Sequence, residues 1–175
     1  MIVILEGSNR SGKSTFAEKL KEEANRKGLK CFVYRKRMSE QNEFDTDQNK
    51  MFEFMMNMLA EILIESTKND LVIVDRFHVT EKIYGKIFRG YDNEFIKFLD
   101  KLLSVCQAKI IYVFSEYNHI NDISKKLEYE KIQDYFISEC LYGKYETERT
   151  YVKFKDISEM DKSVSGIMRW IYEQI

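Results

Sequence analysis

Gly7-Ser8-Asn9-Arg10-Ser11-Gly12-Lys13-Ser14 matches the pattern G-x-x-x-x-G-K-[ST] without a mismatch. Ahead of it, Ile2-Val3-Ile4-Leu5 is a short apolar run ending in Glu6-Gly7, as expected of a central strand buried on both faces. Behind it, Phe16, Ala17, Leu20 and Ala24 recur at helical spacing from Lys13 to about Lys27, and Gly28 is a stop signal. A glycine loop between strand and helix turns tightly around a phosphate, points successive N–H groups inward and adds the partial positive charge of a helix N-terminus. The expected nucleotide-binding set is Gly7, Ser8, Asn9, Arg10, Ser11, Gly12, Lys13, Ser14 and Thr15. Lys13 would reach the β and γ phosphates of a nucleoside triphosphate, and the Ser14 hydroxyl would hold Mg²⁺.

The pattern extends outward from this loop. Cys31 to Tyr34 reads as a second strand, and Met51, Met55, Leu59 and Ile62 mark one stripe of a helix of about five turns. The polar segment 36–49 between them reads as loop. Leu71-Val72-Ile73-Val74 is another buried strand, and it ends in Asp75, a carboxylate placed at the sheet edge for the metal. Helical patterns occur around 79–89 and 93–105, followed by a strand at 110–114, a short strand at about 150–154 and a closing helix carrying Val164, Ile167, Met168, Ile171 and Ile175. Such alternation predicts an α/β fold in three layers, a five-stranded parallel sheet flanked by helices. Ligands collect at the carboxyl ends of such strands, where the motifs fall.

Composition is consistent with one domain over residues 1–175: 44% hydrophobic and 33% charged residues give material for a core and a solvated surface. With 28 Lys and Arg against 29 Asp and Glu, bulk charge gives no reason to expect nucleic acid as partner. No uncharged run is long enough to span a bilayer, and Cys31, Cys106 and Cys140 are too scattered for a disulfide framework or zinc site. A cytoplasmic protein without membrane attachment is the expectation. His78 and His119 have no partners at ligand spacing.

Ile4-Leu5-Glu6-Gly7-Ser8-Asn9-Arg10-Ser11-Gly12-Lys13-Ser14-Thr15 resembles the start of a thymidylate kinase, a family that carries L-E-G-x-D-R-[SA]-G-K-[ST]-T there. Asp75-Arg76-Phe77-His78-Val79-Thr80-Glu81-Lys82-Ile83-Tyr84 resembles its D-R-[YF]-x-x-S-x-x-A-Y segment, with Thr for Ser and Ile for Ala. Phage-encoded deoxynucleotide kinases look similar too, including Tyr84-Gly85 and Arg89-Gly90. The resemblance implies a P-loop nucleotide kinase fold with a lid between the last two strands, at about 115–148. It also implies ATP and Mg²⁺, a nucleotide substrate and a homodimer. Its specific residues lie within about the first 90.

Departures accompany the matches. Asn9 stands where the family has an acidic residue that meets the acceptor sugar. Tyr34-Arg35-Lys36-Arg37-Met38 replaces an Arg followed by a Pro-Gly-Gly turn, leaving Arg35 and Arg37 as candidates for the acceptor phosphate. Phe54-Met55-Met56-Asn57-Met58 resembles F-x-x-N-R, with Phe54 at the base-stacking position and Met58 in place of Arg. No arginine lies between Arg89 and Arg149, so Lys125 and Lys126 are the candidate lid cations. Arg10 fits the branch of the family that carries its catalytic arginine in the phosphate loop.

The expected catalytic set is Lys13, Arg10, Asp75 and Arg76, the acceptor set Asn9, Arg35, Arg37, Phe54, Arg76 and Tyr84, and the metal set Ser14 and Asp75. Arg10 can stabilise charge on the transferred group. The reaction expected is phosphoryl transfer from ATP to a deoxynucleoside monophosphate, dTMP or a related pyrimidine nucleotide, giving the diphosphate. One alternative is a deoxynucleoside kinase, whose neutral hydroxyl acceptor needs a carboxylate base, with Glu40 the candidate. The other is an ATP-binding regulatory protein that transfers nothing.

Overall fold

The computed structural model describes residues 1–36, 47–90, 94–116 and 120–174. Five strands, β1 (Ile2–Glu6), β2 (Cys31–Tyr34), β3 (Leu71–Asp75), β4 (Lys109–Ser115) and β5 (Glu148–Phe154), form one sheet in the order β2-β3-β1-β4-β5. All four pairings are parallel. Among the described residues six α-helices connect or close them: α1 (Lys13–Arg26), α2 (Gln48–Ser66), α3 (His78–Tyr84), α4 (Phe95–Val105), α5 (Ile123–Tyr142) and α6 (Ile157–Tyr172). The α/β expectation holds, with β1 at the centre of the sheet.

Period-two alternation divides the strand residues between two faces. Val3, Leu5, Ile73, Ile111 and Val113 pack with Phe16 and Leu20 of α1 and Val164, Met168 and Ile171 of α6. Ile2, Ile4, Val72 and Val74 face the other way, against Met51, Met55 and Ile62 of α2 and Leu99 and Leu103 of α4. Every one of these residues is buried. Truncating Phe16, which has no exposed surface, would cost about 3 to 5 kcal/mol in lost transfer energy and cavity formation.

Two segments differ from the sequence reading. The pattern over 79–89 divides into α3 and a π-helical stretch, Gly85–Arg89, that ends at Gly90 in the left-handed region. Within the stretch expected to form a lid, at about 115–148, the described residues contain a regular 20-residue helix, α5. Its Ile132, Phe136 and Cys140, spaced by four, pack on Ile110, Tyr112 and Phe114 of β4. The second half of α5 is therefore a layer on the sheet, whereas Ile123 and Leu127 in its first half are exposed.

Candidate active site

The phosphate loop joins β1 to α1, and its conformation depends on its glycines. Gly7 has φ +151°, and a Cβ added there would lie 2.5 Å from the Val113 carbonyl oxygen of β4. Gly12 has φ +86° and would press a Cβ to 3.1 Å from Met160 and Phe154. Arg10, without a glycine's freedom, also sits at positive φ, 59°. The surrounding turn maintains this sparsely populated conformation.

Among the described residues no side chain caps the N-terminus of α1, and its first turn has no acidic residue. By contrast, Asp47, Asp122 and Asp156 accept backbone N–H bonds at the starts of α2, α5 and α6. The amides of α1 thus face the loop without a competing carboxylate, as phosphate binding requires. Lys13 is buried and folds into the loop, donating to the Ser8 carbonyl and, at 3.1 Å, to Ser11 Oγ. Burial holds its ammonium well below the usual lysine range; Arg76 adds to the depression, and Asp75 and Glu6 oppose it.

Ser14 Oγ donates to Asp75 Oδ2 at 2.6 Å, so the two expected metal ligands meet across 61 residues of sequence. Asp75 Oδ1 is buried and has no hydrogen-bond partner among the described residues. A hydroxyl beside a carboxylate with one buried oxygen unsatisfied is an all-oxygen donor set that fits Mg²⁺. Arg35 lies on the same groups. Its Nε is 3.6 Å from Asp75 Oδ2, its Nη2 donates to the Ser14 carbonyl at 3.0 Å, and its Nη1 is 2.8 Å from Glu18 Oε1.

Beyond Asp75 the chain turns through Arg76, at φ 79°, whose N–H bonds the Leu5 carbonyl at 3.0 Å. This fixes the guanidinium over the loop, where Nη2 donates to Asn9 Oδ1 at 2.6 Å and the group stands 5.9 Å from the Tyr84 ring centre. The Asn9 N–H in turn donates to the Tyr84 hydroxyl at 3.2 Å. Asn9, Arg76 and Tyr84 are thereby brought together. Arg10 points elsewhere: its guanidinium is 5.8 Å from the Tyr129 ring on the first half of α5.

Phe54 is buried on α2, with the Lys36 ammonium 5.3 Å from its ring centre. Lys125 and Lys126 stand 3.6 Å from Asp122 and 3.9 Å from Glu130, carboxylates at the cap or within their own helix. Arg37, Glu40 and His119 lie outside the described residues. His78 is buried with Nε2 3.5 Å from Asp100 Oδ1, and the three cysteines are free thiols.

Three contributors were not singled out from sequence. Glu6 accepts from the backbone N–H groups of Phe77 and Val79 at 3.0 and 3.1 Å, which locks the end of β1 to the start of α3. The signal for it was present, since an acidic residue ending a buried apolar strand must find donors. Glu18 follows Ser14 by four residues, one helical turn, so it shares its face of α1. Nothing in the sequence pointed to Tyr129, which reaches the loop only through the path of α5.

The family model described as "Chromatin associated protein KTI12" matches residues 1–156. Comparison with curated protein sequences gives no match. Among solved structures, the chain is similar to the YorR protein of Bacillus subtilis in complex with phosphorylated GDP, with TM-score 0.66 and 20% identity over 99% of this chain and 97% of that one. It is also similar to thymidylate kinase from Ehrlichia chaffeensis, with TM-score 0.61 and 16% identity over 96% of this chain and 98% of that one. These likenesses establish a P-loop kinase-like fold. The thymidylate kinase resemblance of the motifs holds at that level, while the family match is to another group.

Proposed function

The chain belongs to the KTI12 family, and from that starting point we propose that it binds ATP with Mg²⁺ and transfers the γ phosphoryl group to a deoxynucleoside monophosphate, with dTMP or a related pyrimidine nucleotide the first candidates. The observation that carries this reading is the Asn9, Arg76 and Tyr84 cluster, which sets a second cation beside a phosphate loop that already holds Lys13. A module that only binds ATP needs the loop and the metal site; an arginine fixed at the acceptor side serves a second anionic substrate.

In this reading the loop amides and Lys13 hold the β and γ phosphates, and Ser14 and Asp75 hold the metal, whose charge neutralises the phosphates when bound. Arg76 takes the acceptor phosphate, with Arg35 nearby, and Tyr84 borders the acceptor. Arg10 moves from Tyr129 onto the transferred group as its charge spreads. The attacking phosphate oxygen is already ionised at neutral pH, so orientation and charge stabilisation suffice and no general base is required.

A second reading, an ATP-binding protein that transfers nothing, is favoured by one observation: the matched family is described by its association with chromatin. There the loop would act as a switch, and the partner would be a macromolecule. An ADP-release assay with ATP, Mg²⁺ and a panel of nucleosides and nucleoside monophosphates separates the readings. Release on adding a monophosphate supports the transferase; release with nucleosides alone supports a nucleoside kinase. ATP binding with no release across the panel supports the switch.

A further inference from the structure

Arg35 is held at three points around the metal-ligand pair. Its contact to Glu18 Oε1 is 2.8 Å and its bond to the Ser14 carbonyl 3.0 Å, whereas its approach to Asp75 Oδ2 is 3.6 Å. Asp75 thus has one oxygen shared by the Ser14 hydroxyl and a guanidinium, and one buried oxygen with no partner among the described residues. The Ser14 to Asp75 bond is compatible with metal ligation, because a hydroxyl can donate its proton while its lone pair faces a cation. The guanidinium competes with it, because a second cation drawing on the same carboxylate weakens that carboxylate's hold on the metal.

Resting on the reading of Ser14 and Asp75 as the Mg²⁺ site, we propose that Arg35 is the resident counter-ion of Asp75, and that Glu18 is a positioning residue that keeps Arg35 withdrawn when Asp75 engages the metal. Glu18 is suited to this by its place one turn beyond Ser14 on α1, so the helix that presents the metal hydroxyl also presents the carboxylate that receives the arginine. The shorter contact is the one to be kept and the longer one the one to be given up. Asp75 is then never left as a bare buried anion. Without Glu18, Arg35 would settle on Asp75 and compete with the metal. Without Arg35, the metal would bind without competition.

The test is the metal-dependent gain in nucleotide affinity, the ratio of Kd for a fluorescent ATP analogue in chelator to that in Mg²⁺. Glu18 and Arg35 have half-exposed side chains, so glutamine at either position leaves the fold intact. Glu18→Gln is expected to lower the ratio by about twofold to fivefold, and Arg35→Gln to raise it by a similar factor. In the double variant the Glu18→Gln effect should shrink to less than about 1.5-fold, because Glu18 acts through Arg35. A Glu18 effect that persists undiminished without Arg35 is a through-space charge effect and overturns the proposal, as does no effect in either single variant. Asp75→Asn separates the premise: if the gain survives there, or the parent shows none, the metal-site reading itself fails.

Discussion

The Glu6 carboxylate accepts from both the backbone N–H and the hydroxyl of Thr80, the N–H at 3.1 Å, across the junction of β1 and α3. Both residues are buried. With the Phe77 and Val79 amides, Glu6 satisfies four donors that water cannot reach. It holds the turn that carries Arg76 against the strand that carries the phosphate loop.

Glu6→Ala should therefore lower the unfolding free energy by about 3 kcal/mol or more, since it strands buried donors as well as removing their acceptor. Thr80→Val, which loses one hydroxyl, should cost about 1 to 2 kcal/mol. Urea denaturation measures both; equal and negligible losses would remove Glu6 from its structural role.

Gly7→Ala should abolish nucleotide binding and destabilise the fold by about 2 to 4 kcal/mol. The added methyl would lie 2.5 Å from the Val113 carbonyl, and neither that backbone nor the loop can yield cheaply. Calorimetric titration with ATP against a thermal melt of the same variant checks the two effects separately.

ATP binding should take up a proton in alkaline solution. Burial depresses the Lys13 ammonium in the free loop, and bound phosphates favour its charged form, so nucleotide raises its pKa. Between the depressed value and the ordinary lysine value of about 10.4, the free loop has lost the proton that the complex holds. Affinity should then fall as pH rises through that window. Titration calorimetry in buffers of different ionisation enthalpy reads the uptake directly; a flat affinity with no buffer dependence would contradict it. Free-protein stability has the opposite trend, because the unfolded chain keeps the proton longer, so this residue favours folding more as pH rises through the same window.

Arg10→Ala should depress kcat by about a hundredfold or more while changing ATP affinity by less than about threefold. Arg10 is exposed and lies on Tyr129 rather than in the loop interior, so the ground-state nucleotide site does not depend on it. Steady-state kinetics beside a binding isotherm test the split, and equal turnover in variant and parent would exclude Arg10 from the mechanism.

The loop and sheet were legible because their signals are local. Glycines at fixed offsets, apolar runs of strand length and a terminal Asp each reflect a backbone constraint on their own segment. The Ser14 and Asp75 meeting followed from topology, since neighbouring parallel strands such as β1 and β3 end together. What stayed hidden depends on the paths of long side chains. The spacing of Arg35 from its strand could not show that it rests on Asp75 and Glu18, because its partners come from α1 and β3. The regularity of α5 was obscured by Ile123, Leu127, Tyr135, Leu141 and Tyr142 on its outer surface, which blur the stripe formed by Ile132, Phe136 and Cys140.

Transfer of labelled γ phosphate from ATP, with Mg²⁺, to dTMP and the other deoxynucleoside monophosphates tests the proposed reaction. A labelled nucleoside diphosphate is expected for at least one pyrimidine acceptor and should be lost in Arg76→Ala. Bound ATP with no labelled diphosphate from any monophosphate would contradict it.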